Sequence, residues 1–234
     1  MQTPAPTASG AAYPAPPWFL SGSMTFSLFA VPARAVPELT AQLPSGHRPV
    51  SLGRHALVGL AVARYEPGGD LSYDELLVAV LTRRGLALRV TVTQIWVDSP
   101  ASQAGGRALW AIPKALATTT RSARAHPGER TEFRTLDGAP IARLDRRPGR
   151  RLPPSRVSVP LATAQREDPV APTQHDPTTV TAHNTVTATV RAARAHWQVA
   201  VDGPLGWLTG RRPLATFTLT DANLTFGARV DRST

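Results

Sequence analysis

Proline sets the strongest limit on what this chain can fold into. The 234 residues include 23 prolines. A proline inside a helix removes a backbone hydrogen bond and clashes with the preceding turn, so frequent prolines end helices early. Short apolar runs punctuated by proline and glycine are typical of strands joined by turns. We therefore expect many strand ends and loops and few long helices.

Several apolar runs have the β-branched content or the alternation of β-strands. The segment Leu71–Leu81 fits either a strand or a helix. Asp137-Gly138 is a strong turn signal and predicts a hairpin between Arg130–Leu136 and Ala139–Leu144. The remaining predicted strands are Met24–Val31, His55–Tyr65, Leu86–Val97, Arg156–Thr163, Thr178–Val190, His196–Val201, Leu214–Leu219 and Leu224–Val230.

Four other segments are predicted to lie outside strands. Val36–Leu43 is interpreted as a short helix that ends before Pro44. The small and polar residues of Ser99–Gly106 indicate a loop or a short helical turn. The segments Arg143–Arg156 and Glu167–Pro177 each contain three prolines, so both are predicted to be loops, and the arginines of the first favour a solvated one.

The chain has no repeat and no sharp change in composition, so residues 17–234 are predicted to form one α+β domain, mainly antiparallel β. Residues 1–16 are rich in Pro, Ala and Thr and are predicted to be flexible. They lack the basic start and apolar core of a signal peptide. No apolar run approaches the length of about 20 residues that spans a bilayer. A cytoplasmic location without membrane contact is expected.

The composition excludes several kinds of functional site. The chain has no cysteine, which excludes disulfides, thiolate metal sites and cysteine nucleophiles, and its six histidines show no metal-site spacing. The net charge of +10 comes from one lysine and 25 arginines among the 26 basic residues. Nucleic-acid binding is a minor alternative, because no helix-turn-helix pattern or aromatic-basic interleaving accompanies that charge.

Lys114 is the only lysine, and it lies in the apolar run Leu109–Leu116. Arginine cannot lose its proton in a protein and cannot form an imine, whereas lysine can do both when it is desolvated. The single lysine therefore indicates a chemical role. The alternative from context alone is a surface lysine with its stem on apolar neighbours and its amine in water.

Three segments carry a resemblance to a known family. Gly106–Ala117 (GRALWAIPKALA) is similar to the Gly-Arg-Glu-x-x-x-x-Pro-Lys-x-Leu motif of the acetoacetate decarboxylase family, and Tyr73-Asp74-Glu75-Leu76 matches its Tyr-x-Glu motif at a similar distance before the lysine. The opening Pro17–Gly22 also resembles that of superfamily members. Together these segments cover about residues 17–120, the first half of the chain.

The resemblance implies a cone-like antiparallel β-barrel, or double cone, with an internal pocket, no cofactor and no metal, usually in a homo-oligomer. Lys114 corresponds to the Schiff-base lysine, and Glu75 is the acid/base candidate. Substrate-binding candidates are Tyr73, Arg107, Trp110 and Ile112. The implied function is a lyase acting on a small or medium keto acid, with a small keto acid or carboxylate as the partner.

Two positions depart from the family pattern. The second lysine that follows the nucleophile in acetoacetate decarboxylases is Ala115 here, and the glutamate after Gly-Arg is Ala108. A neighbouring cation is one way to activate an amine, so these losses weaken the expectation of acetoacetate decarboxylation. Two alternatives stay open: a pyruvate-type aldolase or dehydratase of the superfamily, and a non-catalytic ligand-binding member of the same fold.

Overall fold

The computed structural model describes residues 11–32, 37–124, 128–167 and 178–233. Strands dominate this part of the chain, and the helices are short. In chain order the elements are β1 (Trp18–Pro32), α1 (Pro37–Ala41), β2 (Arg48–Pro49), β3 (Ser51–Leu52), β4 (His55–Glu66), β5 (Tyr73–Arg84), β6 (Ala87–Val97), α2 (Pro100–Trp110), β7 (Lys114–Leu116), β8 (Thr118–Arg124), β9 (Gly128–Arg134), β10 (Pro140–Glu167), β11 (Thr178–Val199), a short 3₁₀ helix (Gly206–Leu208) and β12 (Ala215–Ser233).

The main strands form one sheet in the order β7-β6-β5-β4-β1-β12-β11-β10-β9-β8. Neighbours along this path pair antiparallel apart from β6 and β7, which are parallel. A parallel pair between Val90 of β6 and Thr163 of β10 brings the two arms of the sheet together. The path from β6 through β1 and β12 to β10 therefore returns to β6. The predicted α+β class with mainly antiparallel pairing is confirmed.

Both faces of the central strands are buried. Glu75 of β5 lies opposite Ala63 of β4, and Ala63 lies opposite Met24 of β1. Directly paired residues point to the same face, so these three side chains share one face of the sheet. Leu60 and Leu76, one position out of phase, belong to the apolar core on the opposite face. This double burial explains why Leu76–Leu81 is continuously apolar, and the structure shows that the run belongs to strand β5.

Ser99–Gly106 was predicted to be a loop or a short helical turn. The structure shows that the segment is helical, as part of the longer helix α2, and that the loop alternative was wrong. Ser99 caps the helix by accepting a hydrogen bond from the backbone N–H of Ser102, and Pro100 occupies its first turn. Glycine lowers helix propensity, but here it lets the helix pack closely. A Cβ on Gly105 would lie only 2.5 Å from the ring of Trp18. None of the described helices is long and apolar enough to cross a membrane.

The prediction of a solvated loop at Arg143–Arg156 was also wrong, because this segment belongs to β10. Its residues pair with β11, for example Arg147 with Arg194. The pairing shifts register between Pro148 and Arg151, where a proline without a backbone N–H is tolerated. Arg147, Arg150 and Arg151 are exposed, so the composition resembles that of a loop although the backbone is paired.

Most other strand predictions are confirmed, and Asp137-Gly138 forms the turn between β9 and β10. Leu214–Leu219 and Leu224–Val230 were predicted as separate strands but both lie in β12, which has an irregularity beside Asp221. Likewise, β11 runs through both the Thr178–Val190 and His196–Val201 predictions and ends at Val199. The short helix is α1, and Val36 lies outside the described residues.

Two further predictions fall partly outside the described residues. Of the loop predicted at Glu167–Pro177, positions 168–177 are not described, and of the flexible segment 1–16, positions 1–10 are not described. Tyr13 is buried, and the indole N–H of Trp18 donates to the carbonyl of Pro14 at 2.8 Å. The boundary at residue 17 stays a prediction.

A chain of ion pairs connects β5 to strands on the far arm of the sheet. Arg121 of β8 contacts Asp74 of β5 at 2.5 Å and Glu129 of β9 at 2.6 Å. Glu129 also accepts from Arg146 of β10. Burial opposes the charge of Glu129, but hydrogen bonds from Arg146 and Arg121 outweigh it and lower the pKa of the carboxyl. Because Asp74 lies between Tyr73 and Glu75, these pairs anchor the part of β5 that carries the candidate site.

Replacing Arg121 with glutamine is expected to lower the free energy of unfolding by about 1–3 kcal/mol, since Asp74 and Glu129 would keep partly buried charges without a shared partner. Urea unfolding checks this value. The matched control is Arg64→Gln, which removes the half-exposed pair with Glu66 at 3.8 Å and should cost less than about 1 kcal/mol. Equal losses for the two variants would contradict the anchoring role.

Candidate active site

The backbone between α2 and β7 aims Lys114 into the protein. Ala111 adopts the left-handed conformation with φ of 54° and ends the helix. The N–H groups of Ala111 and Ile112 donate to the carbonyls of Arg107 and Gly106, which closes the last turn. Lys114 then begins β7 in register with Ile95 of β6. Its side chain turns back under α2 toward β5.

The amine of Lys114 is buried and has three hydrogen-bond acceptors. The residue is 4% exposed. Nζ donates to Ser102 Oγ at 2.8 Å, to Glu75 Oε2 at 2.9 Å and to Tyr73 Oη at 3.2 Å. An ammonium group has three N–H donors, so this arrangement satisfies all of them. The surface-lysine alternative is thereby excluded.

These partners come from two elements that are distant in sequence. Tyr73 and Glu75 are two positions apart on β5, so their side chains share one face. Ser102 lies in the first turn of α2 and is completely buried. Glu75 is the only counter-ion of Lys114 among the ion pairs of the described residues. The amine is therefore held by one anion and two neutral hydroxyls.

A close approach of the α2 backbone confines the lysine stem. A Cβ on Gly106 would lie 2.7 Å from Cδ of Lys114 and 2.8 Å from its Cε. Only glycine leaves room for the stem to pass beneath the helix. Gly106 is the first residue of the Gly-Arg motif, and this contact gives the motif a steric role.

Two tyrosines stack next to Glu75. The ring centroids of Tyr65 and Tyr73 are 4.7 Å apart. Burial raises the pKa of both phenols well above the usual value near 10, and the negative charge of Glu75 raises it further. Both phenols are therefore neutral donors at physiological pH. The amine of Lys114 hydrogen-bonds Tyr73, Glu75 and Ser102 and so links these three groups.

The other predicted site residues lie around Lys114 without contacting its amine. Arg107 is exposed, and its Nε donates to the backbone carbonyl of Lys114 at 2.6 Å, so it braces the strand. Trp110 is buried edge-on against Trp18, with ring centroids 4.7 Å apart, and Ile112 is buried in the same apolar cluster. Substrate contacts by these three residues stay predictions.

Ser102 is the site residue that sequence reasoning missed. It lies in the segment predicted to be a loop or a short helical turn, where the direction of its side chain could not be inferred. A helical interpretation from the Ser99-Pro100 start signal would have placed Ser102 and Gly106 on one helical face, next to the lysine.

The position of the missing second lysine faces away from the site. Ala115 packs against the apolar core on the opposite side of the sheet from Lys114, as strand alternation requires. Ala108, in place of the family glutamate, is exposed on α2. Among the described residues no group of three His, Asp or Glu side chains is arranged to hold a metal ion.

Comparisons with known proteins identify the relatives of this chain. Residues 2–205 match the family model described as acetoacetate decarboxylase. The fold is similar to that of acetoacetate decarboxylase from Legionella pneumophila subsp. pneumophila str. Philadelphia 1, with a TM-score of 0.75 and 16% identity over 100% of this chain and 92% of that chain. No curated protein sequence matches the chain.

Two further solved structures extend this likeness. An acetoacetate decarboxylase-like enzyme from Sphingomonas wittichii RW1 has a TM-score of 0.67 and 17% identity, over 99% of this chain and 100% of that chain. The enduracididine biosynthesis enzyme MppR, solved in complex with pyruvate, has a TM-score of 0.66 and 17% identity, over 98% of each chain. At these identities the solved structures show a shared fold.

Gly106→Ala is expected to destabilise the protein by about 1–3 kcal/mol, because the new methyl group overlaps a lysine stem whose amine is held by three partners. The direction of the change in stability distinguishes the two cases. A helical glycine in open space that is replaced by alanine would stabilise the helix by about 1 kcal/mol. Thermal unfolding measures the change. A gain in stability would contradict the close approach.

The neutral tyrosines predict how stability depends on alkaline pH. Tyr65 and Tyr73 stay protonated in the folded protein but ionise near pH 10 once unfolded. Stability is therefore unaffected by these groups below about pH 10 and falls as the pH rises further. In Tyr73→Phe the slope of this fall should decrease by about 1.4 kcal/mol per pH unit. Urea unfolding above pH 10 tests this, and an unchanged slope would contradict a buried neutral phenol.

Proposed function

The chain belongs to the acetoacetate decarboxylase family, and we propose that it is a lyase that forms a Schiff base between Lys114 and a small or medium keto acid. The observation that carries the proposal is the buried amine of Lys114, held 2.9 Å from the Glu75 carboxylate. A buried lysine with an adjacent acid/base group is the arrangement that imine chemistry needs.

The first step is a proton transfer from Lys114 Nζ to Glu75. The neutral amine then attacks the ketone carbon and forms a C–N bond. The ketone oxygen leaves as water after taking one proton from the amine and one from Glu75. The product is an iminium on Lys114 that retains one N–H and attracts electrons from the neighbouring C–C bond.

The fate of the iminium decides the reaction. With a carboxylate on the neighbouring carbon, the C–C bond breaks, carbon dioxide leaves, and the bonding pair forms an enamine. A proton from solvent then adds to carbon, and hydrolysis releases the ketone and restores Lys114. Tyr73 is the proposed hydrogen-bond donor to the substrate, because its phenol is neutral and adjoins Nζ.

The amine of Lys114 lies beside an anion, Glu75, whereas other lysine amines are activated by a neighbouring cation. With Ala115 pointing to the opposite core, Glu75 is the group that must take the proton of Lys114. The neutral amine is the form that attacks the ketone, so the mechanism proposed here makes Glu75 the general base for Lys114.

A second candidate function is pyruvate-type aldol or dehydratase chemistry. It is favoured by the likeness to MppR, which has been solved both with pyruvate and with the condensation product of pyruvate and imidazole 4-carboxaldehyde. In that branch the iminium loses a proton from the adjacent carbon, and the enamine adds to an aldehyde. A binding-only role, suggested by Ala108 and Ala115, is the third candidate. A homo-oligomeric state, a cytoplasmic location and independence from a cofactor stay predictions.

Borohydride trapping tests the proposal directly, because the chain has one lysine. Protein incubated separately with acetoacetate and with pyruvate is reduced and analysed by intact mass and peptide mapping. An isopropyl group on Lys114 would indicate decarboxylation before reduction, and a 1-carboxyethyl group would indicate a pyruvate imine. Lys114→Arg keeps the positive charge and should give no adduct at this position.

Glu75→Gln is expected to reduce the rate of adduct formation by about 10²–10⁴-fold, since the amide cannot accept the lysine proton. The time course of trapping measures the rate. Glu66→Gln, at an exposed carboxylate on the neighbouring strand, is the control and should leave the rate unchanged. Ligand binding by wild-type protein without any Lys114 adduct would overturn the lyase proposal in favour of the binding role.

A further inference from the structure

The hydroxyl of Ser102 makes the shortest contact with the reacting nitrogen. Its Oγ lies 2.8 Å from Lys114 Nζ, compared with 2.9 Å for Glu75 and 3.2 Å for Tyr73. Ser102 is completely buried, and Lys114 is nearly so. A hydroxyl both accepts and donates a hydrogen bond, so Ser102 can exchange roles as the amine changes its charge.

We propose that Ser102 is a catalytic proton shuttle, which carries a proton from Lys114 Nζ to the oxygen of the bound ketone. This inference rests on the proposed Schiff-base function and assigns one of its steps. When the neutral amine attacks the ketone, the first product carries a positive nitrogen with two hydrogens and a negative oxygen on the same carbon. One proton must move from that nitrogen to that oxygen before water can leave.

Direct transfer between these two atoms is geometrically poor. Nitrogen, carbon, oxygen and hydrogen would form a four-membered ring, in which the hydrogen bond is strongly bent and therefore weak. A bridging hydroxyl expands the ring to six members and allows straighter hydrogen bonds. Ser102 Oγ accepts the proton from nitrogen while it donates its own proton to the oxygen. The serine is unchanged, and the product is a neutral carbinolamine.

The other two partners are committed to different tasks. Glu75 holds the proton first taken from Lys114, and it needs that proton to release the hydroxyl of the carbinolamine as water. Tyr73 is the proposed hydrogen-bond donor to the substrate, and at 3.2 Å it is farther from Nζ than Ser102 is. Bulk water, the usual bridge in solution, has little access to an amine buried to this degree.

The local backbone holds Ser102 in place for this role. Its N–H donates to the cap residue Ser99 at 3.2 Å, which fixes the first turn of α2. Its side chain is completely buried. The fixed helical turn and the burial limit the motion of the side chain, so that the hydroxyl stays beside Nζ when the substrate enters.

Exchange of the carbonyl oxygen with ¹⁸O-labelled water isolates this step, because it requires imine formation and hydrolysis but no C–C cleavage. Acetone and pyruvate are used as separate probes, and mass spectrometry follows the exchange. Ser102→Ala should slow enzyme-catalysed exchange by about 10²-fold or more. Ser102→Thr, which restores the hydroxyl, should recover at least about 10-fold of that loss.

A matched control separates catalysis from packing. Ser27 is also completely buried, and its hydroxyl forms hydrogen bonds with Thr216 and Trp197. None of these residues contacts the amine of Lys114. Ser27→Ala should lower the unfolding midpoint while leaving the exchange rate of the folded protein unchanged. If the exchange rate of Ser102→Ala stays within about threefold of the wild-type rate, the shuttle is overturned, but the Schiff-base proposal is not. No exchange and no trapped adduct in the wild type would overturn both.

Discussion

A charged amine in the interior of the sheet is the constraint on which the rest of this structure depends. Removing an ammonium and a carboxylate from water costs several kcal/mol for each ion, by order of magnitude, and their attraction offsets this only when every remaining donor is satisfied. Lys114 meets that condition with Glu75, Tyr73 and Ser102 as acceptors. Removing any one of them leaves a buried donor unpaired.

The three hydrogen bonds of the Lys114 amine determine how α2, β5 and β7 are placed. Ser102 must approach from one side while Tyr73 and Glu75 approach from the other, so the helix has to pack tightly over the lysine stem. Gly106 allows that approach, because any side chain there would overlap Lys114. The ion pairs of Asp74 with Arg121 hold the facing strand from its outer side. The site is therefore supported from both directions.

The replacements that distinguish this chain from its family have different structural meanings. Ala115 lies on the side of β7 that faces the second core, so a side chain at this position points away from the amine of Lys114. Ala108 is exposed on the outer side of α2. Within the described residues, the amine of Lys114 contacts Glu75 and two hydroxyls.

The sequence by itself determined the strand-rich fold class and the single lysine. Both are local features, because proline limits helices and arginine cannot form an imine. The run Leu71–Leu81 fits a strand or a helix by its sequence, so only the structure places Tyr73 and Glu75 on one strand face. The tertiary structure decided the rest. Ser102 reaches Lys114 because a helix, not a loop, carries it, and the Arg-rich segment of β10 is a strand because β11 pairs with it. Such contacts join residues on different elements, and the local propensity of a segment does not indicate which partner it will pack against.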